Sequence, residues 1–284
     1  MQTVAIVGVG LIGGSFGLAL RQAGFEGELL GVSSPPAIEA GIRSGAIDRA
    51  QTLEEAAASA DLIYLAQPVD RILATIELLG PLARPGCLIT DAGSTKSMIV
   101  RKASQCIGSA SFLGGHPMAG KEQRGSEAAE GSLFRGRPYV LTPHAPDTPL
   151  SAKLRPWLEK MGANVVEMTP AQHDKIVAFT SHLPQLLSTA LAGTLATQSS
   201  NGSVQGIPQV FGPGLLDMTR LALSSPDLWS SILATNKAEI TLSIDLFLEY
   251  LNKLKNAIAS DDLPPLFDTG AAFAAALRKL PSIN

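Results

Sequence analysis

Residues 3–7 (TVAIV) run straight into Gly8-Val9-Gly10-Leu11-Ile12-Gly13, and helical spacing follows over 11–23. Few folds accept that order. The apolar run has no polar face, so it reads as a strand covered on both sides of a parallel sheet. The glycines permit a tight turn, let the backbone approach a pyrophosphate, and let the next helix pack closely on the sheet. The N–H groups at the start of that helix then offer an anion site. The expected cofactor ligands are therefore Gly8, Gly10, Leu11, Ile12 and Gly13.

The same alternation continues downstream. Strands are expected at 28–32 (ELLGV), 61–66 (DLIYLA), 87–91 (CLITD), 111–114 (SFLG), 139–142 (YVLT) and 164–168. Helices are expected at 38–44, 53–58, 72–82, 96–105 and 150–161. Strands alternating with helices predict a mostly parallel sheet with helices on both faces. After Thr169 the character changes. Thr169-Pro170 is a helix start, a capping residue followed by proline at the first helical position. From there only helical periodicity and loops remain, including a Gly- and Pro-bearing loop at 202–214 and one long helix at 232–259. The expectation is α/β: a Rossmann-type parallel-sheet domain over 1–168, then an all-helical domain over 169–284.

Composition narrows the function classes. With 284 residues and 45% apolar content, the chain can bury a substantial core. A net charge of -3 leaves no basic footprint for nucleic acid. No apolar run approaches the ~18 residues of a membrane span, and Met1 leads directly into the first strand with no basic signal-peptide region. Cys87 and Cys106 read as unpaired thiols in a reducing compartment, and no Cys/His spacing suggests a metal. The protein is expected to be cytoplasmic and to act on a small molecule.

The second strand of a dinucleotide-binding fold normally ends in an acid that binds the ribose 2′-hydroxyl of NAD. Here the sequence is Gly31-Val32-Ser33-Ser34-Pro35. A carboxylate would repel a 2′-phosphate, whereas Ser33 and Ser34 can donate to one. That favours NADP over NAD, although the nearest downstream arginine is Arg43.

Asp91-Ala92-Gly93-Ser94-Thr95-Lys96 follows the fourth strand at its C-terminal end, the edge where open α/β sheets bind ligands. Ser94 or Lys96 could touch substrate or cofactor, and Ser94 or Thr95 could cap the next helix. His116 sits in Gly114-Gly115-His116-Pro117-Met118-Ala119-Gly120, which reads as a rigid glycine-flanked loop after the next strand. A histidine held beside a nicotinamide suits alcohol oxidation, taking the hydroxyl proton while the cofactor takes the hydride. Glu122 lies six residues on. His182, in Thr180-Ser181-His182-Leu183-Pro184, is a binding candidate beside an expected proline kink. His173 and Asp174 read as structural and His144 as solvated. Arg220, on an apolar background, is costly to bury unless it meets an anion: a substrate carboxylate, or Asp217 in an internal salt bridge.

With GVGLIGG at 8–14, DAGSTK at 91–96, GGHPMAGKE at 114–122, SHLP at 181–184, and Arg220, Trp229 and Asn236 downstream, nearly the whole chain resembles the prephenate/arogenate dehydrogenase family of tyrosine biosynthesis. The HPMAG and SHLP segments together are the specific part. The resemblance implies oxidative decarboxylation of a cyclohexadienol, prephenate to 4-hydroxyphenylpyruvate or arogenate to tyrosine, with NAD or NADP. It implies His116 and Ser94 as catalytic residues, with His182, Arg220 and Glu122 binding substrate. It also implies that the helical domain forms a homodimer. The chain leaves no room for a chorismate mutase domain before Met1 or a regulatory domain after Asn284, so any feedback inhibition by tyrosine is expected at the active site. Two alternatives stay open. One is another two-domain NAD(P)-dependent β-hydroxy acid dehydrogenase or imine reductase; the other is a dinucleotide-binding sensor that has lost catalysis.

Overall fold

The computed structural model describes residues 1–123, 125–143, 151–260 and 263–279, so His144 lies outside the described residues. Two compact units divide the chain, Met1–His173 and Asp174–Leu277.

In the first unit the chain runs β1 (Thr3–Val7), α1 (Leu11–Gln22), β2 (Glu28–Val32), α2 (Pro35–Ser44), β3 (Arg49–Ala50), α3 (Leu53–Ser59), β4 (Leu62–Leu65) and α4 (Val69–Leu82). It continues with β5 (Leu88–Asp91), α5 (Ser97–Cys106), β6 (Ser111–Pro117), β7 (Pro138–Thr142), α6 (Ser151–Lys160) and β8 (Asn164–Glu167). The eight strands order as β3-β2-β1-β4-β5-β6-β7-β8. The order reverses between β1 and β4, and ligands of such sheets bind beyond the strand ends at that switch. The sheet is parallel except at β6–β7. Only β3 has no counterpart in the sequence pattern. Two residues are too short for any periodicity, and Arg49 and Ala50 are exposed.

Both faces of the sheet are covered, which explains the apolar runs. Ile63 and Tyr64 are neighbours in β4, point to opposite faces, and are both fully buried. One face packs Val4, Ile6, Tyr64 and Leu113 against Phe16 and Leu20 of α1 and Leu154 and Leu158 of α6. The other packs Ala5, Val7, Ile63 and Ile89 against α3, α4 and α5 through Ala57, Ile76, Leu79 and Ile99. Burying each large side chain is worth about 1.5–3 kcal/mol, so the two layers together fix the strand ends that carry the site.

Two expectations at the site edge need correction. His116 is not on a loop. β6 runs through Pro117, because Gly114 to Pro117 pair antiparallel with Thr142 to Tyr139. The glycines that looked like loop residues are strand residues under close packing. The N-cap of α5 is Lys96, with no side-chain cap bond, rather than Ser94 or Thr95.

The described residues of the second unit form helices and loops, with no strand among them. α7 (Pro170–Val177) enters it from the first unit, a π-helical turn follows at Ala178–His182, and then α8 (Leu183–Ser200). Thr169 caps α7 as expected: its Oγ1 accepts from Gln172 N at 3.2 Å, while Gln172 Oε1 accepts from Thr169 N. Pro184 removes the N–H that would bond to Thr180, and the helix widens there instead of simply bending. α9 (Pro213–Thr219), a 3-10 turn (Arg220–Leu223), α10 (Pro226–Thr235), α11 (Lys237–Ser260) and α12 (Pro264–Lys279) complete it. The single helix expected at 232–259 is two. It breaks at Asn236, which leaves helical geometry and donates its side-chain amide to Asp174 O at 2.8 Å. No helix among the described residues is long and apolar enough to cross a membrane.

Cys87 and Cys106 are both free thiols. Cys87 is wholly buried under α3 and α4, and that burial pushes its thiol up to about 11. Since the thiolate is the reactive form, a thiol reagent at pH 8 should label half-buried Cys106 and spare Cys87. Peptide mapping after a short pulse checks this; equal labelling would mean that the Cys87 layer opens readily.

Candidate active site

The glycine turn meets the geometric demands of its motif. Gly8 has φ +94°, and a Cβ there would come within 2.5 Å of Ala66 O. A Cβ on Gly13 would come within 2.1 Å of Gly8 O, so only glycine lets α1 sit this close to the turn. Gly10 differs: nothing lies within 4 Å of where its Cβ would be. It is the N-cap of α1, has no side-chain cap bond, and no acid occupies the first turn. The N–H groups of Leu11, Ile12 and Gly13 therefore start a helix without an internal acceptor, beside open space and at the positive end of the helix dipole. Those features fit a dinucleotide pyrophosphate.

Ser33 and Ser34 are exposed at the tip of β2. Ser33 Oγ accepts from Val9 N at 3.2 Å, tying the tip of β2 to the glycine turn. Ser34 caps α2 by position only, without a side-chain bond. Arg43 is engaged at the surface by Glu127.

At the far side of the sheet, His116 projects from β6 and is half-buried. Its Nδ1 lies 2.7 Å from Nε2 of His173, and the two rings meet at 70°. His173, from the first turns of α7, is 1% exposed. The sequence pattern gave His173 no link to His116; the structure puts the two rings in contact. The helical spacing of His173 resembles that of any core histidine, and no signal in the sequence pointed to His116. At this distance one ring must donate and the other accept, so each fixes the other's tautomer. Ser94 is half-buried in the bend between β5 and α5, and Glu122 is exposed on the loop that follows β6. Lys96 is no candidate ligand for substrate. It is fully buried and ion-paired with Asp91.

In the helical unit, His182 closes the π-turn and is 1% exposed. Its Nδ1 is 3.3 Å from the Asn236 side-chain amide. Trp229 meets the His182 ring edge-on at 5.8 Å, and its buried Nε1–H has no acceptor among the described residues. A buried donor of this kind calls for a partner. Arg220 opens the 3-10 turn and is exposed. The cost of burying it therefore does not arise, and the case for an anion there rests on the resemblance. Among the described residues no group of three His, Cys, Asp or Glu could hold a metal.

The uncapped glycine turn at the switch point of a doubly wound sheet places the chain among dinucleotide-binding α/β proteins with a separate helical unit. Comparison with known proteins narrows the class. The nucleotide-binding domain of prephenate dehydrogenase matches residues 16–167, and the dimerization domain of the same enzyme matches 169–270. The prephenate dehydrogenase of Lactococcus lactis subsp. cremoris is 36% identical over 92% of this chain and 73% of its own. A crystal structure of prephenate dehydrogenase from A. aeolicus, in complex with hydroxyphenyl propionate and NAD+, superposes with TM-score 0.90 at 31% identity over 99% of both chains. Synechocystis arogenate dehydrogenase superposes with TM-score 0.84 at 31% identity, over 98% of this chain and 100% of its own. The chain belongs to the prephenate dehydrogenase family.

Replacing His173 by Phe keeps its bulk but leaves His116 Nδ1 without that neighbour. Steady-state kinetics should show kcat reduced about tenfold or more, the low end for a misplaced acid–base group, with KM little changed. Unaltered kcat would make the histidine pair incidental to turnover.

Proposed function

We propose that this chain is an NAD(P)-dependent dehydrogenase that oxidatively decarboxylates prephenate or arogenate. The observation that carries this reading is the family match, which runs through both units and nearly the whole chain.

The residues divide the work as follows. The Gly8–Gly13 turn and the start of α1 hold the pyrophosphate, and the bound nicotinamide supplies the hydride acceptor for C4 of the substrate ring. His116 works as a base only if Nδ1 carries its proton and donates to His173 Nε2, which leaves the lone pair on His116 Nε2. His116 then takes the proton of the C4 hydroxyl as hydride leaves C4; when the ring carboxylate departs as carbon dioxide, its bonding pair makes the ring aromatic and the resulting phenolate oxygen takes the proton back from His116. Ser94 hydrogen-bonds that same hydroxyl and supports His116. Arg220 takes a substrate carboxylate as a planar fork. His182 and Glu122 line the substrate site, and Trp229 offers its unpartnered indole N–H to the substrate.

Cofactor preference favours NADP. The tip of β2 presents two exposed hydroxyls and no carboxylate, so nothing there repels a 2′-phosphate. We also propose that the helical unit pairs with a second copy of itself. It leaves Val210 85%, Leu223 87%, Phe267 66% and Phe273 67% exposed, and the family model that matches it is a dimerization domain.

Initial rates with prephenate and arogenate, each crossed with NAD and NADP, test the assignment. Turnover with one ring substrate and a preference for NADP are expected; no turnover with any pair, despite dinucleotide binding, would remove it. His116→Asn should abolish turnover while the dinucleotide still binds, so near-wild-type rates would strip His116 of its role. Arg220→Ala should chiefly raise KM for the ring substrate, and an unchanged KM would make Arg220 structural.

A further inference from the structure

Strand β6 changes partners part-way along its length. Its parallel register with β5 ends at Thr90↔Leu113, and its antiparallel register with β7 begins at Gly114↔Thr142. Past that point β5 no longer supplies ladder partners, because it stops at Asp91. The backbone of Gly115 would then be left open on the β5 side, one residue before His116. Side chains fill the gap. Asp91 Oδ1 accepts from Gly115 N at 3.1 Å, and Lys96 Nζ donates to Gly115 O at 2.8 Å. Lys96 also pairs with Asp91 Oδ2, which accepts in addition from Gly93 N at 2.8 Å. Both ionic side chains are fully buried. Gly115 itself allows the approach: a Cβ there would come within 2.6 Å of Asp91 O.

We propose that Asp91 and Lys96 are positioning residues for the proposed reaction, acting as a two-point clamp on the backbone of Gly115 that sets where His116 sits. The inference uses the proposed role of His116, but the clamp is a property of the fold and can be measured apart from turnover. A buried ion pair is poor evidence for stability, since apolar residues of similar volume often serve as well. Whatever it adds to stability, a pair that grips both polar groups of the residue beside the base also positions that residue. It replaces two missing ladder bonds with rigid, charge-assisted ones, and holds the base to the tolerance that proton transfer needs.

Two double variants separate geometry from charge. Asp91→Leu with Lys96→Met removes both bonds to Gly115 without leaving a lone buried charge. Asp91→Asn with Lys96→Gln removes the charges but keeps an acceptor for Gly115 N–H and a donor for Gly115 C=O. The apolar pair should lose tenfold or more in kcat, with KM for the ring substrate and dinucleotide affinity within about twofold of wild type. The polar pair should recover most of that loss. Nitrogen NMR of histidine-labelled protein gives a readout independent of activity. The chain has only four histidines, and the His116 and His173 signals should move in the apolar pair and return in the polar one, while His182 stays in place. Should the apolar pair not fold, Asp91→Asn with Lys96→Met, which drops the donor to Gly115 O and keeps one side-chain acceptor for Gly115 N, takes its place with the same expectation. A folded variant without the clamp that keeps wild-type kcat and unmoved His116 signals would overturn the proposal. So would a polar pair as impaired as the apolar one, since charge rather than backbone geometry would then be responsible. If the wild-type protein turns over neither ring substrate, the functional reading fails, and the NMR comparison still decides whether the clamp exists.

Discussion

Each backbone polar group that enters the interior must find a partner, and the first unit meets that demand at one difficult place. Where β6 leaves β5 for β7, a parallel ladder ends and an antiparallel one begins. An unpaired N–H and C=O at that seam would cost about 1–3 kcal/mol each. The buried Asp91–Lys96 pair supplies both partners. The seam lies at the C-terminal edge of the sheet, and His116 is the next residue. The two side chains that satisfy these backbone groups are also the ones proposed to place the His116 imidazole.

The glycine turn follows the same logic with the opposite result. Gly8 and Gly13 are needed because backbone crowds the space where side chains would stand. Gly10 has open space in front of it, and the helix behind it begins without a cap. Interior packing makes two of the glycines obligatory. The third leaves the first N–H groups of α1 without a side-chain cap among the described residues, the arrangement that suits an anion at a helix start.

The histidine pair stands on regular backbone, His116 in β6 and His173 in α7, whereas the helical unit departs from regular structure at polar residues. His116 and His173 share one proton position across 2.7 Å. In the helical unit the π-turn ends at His182, and the helix break at Asn236 puts that amide against both Asp174 O and the His182 ring. Irregular backbone carries an energetic cost, and in the helical unit it presents buried nitrogen atoms that a regular helix would have turned elsewhere.

The sequence alone settled most of the elements and their order. Apolar runs such as 3–7 and 61–66 mark strands covered on both faces, and the Gly8–Gly13 turn marks the switch point, because periodicity and glycine spacing are local properties of the chain. Thr169 with Pro170 marked the start of the helical segment for the same reason. HPMAG and SHLP marked His116 and His182. What the sequence misplaced depends on contacts between distant segments. The Gly-Gly before His116 looks like loop until β7, more than twenty residues on, pairs with it. His173 looks like core until α7 brings it to His116. Residues 232–259 keep helical spacing across Asn236, and the break appears only when its amide meets Asp174. Lys96 looks like a ligand for substrate until the fold buries it against Asp91. In each case a side chain or a strand edge found a partner that no local pattern encodes, and only the tertiary structure decided which one.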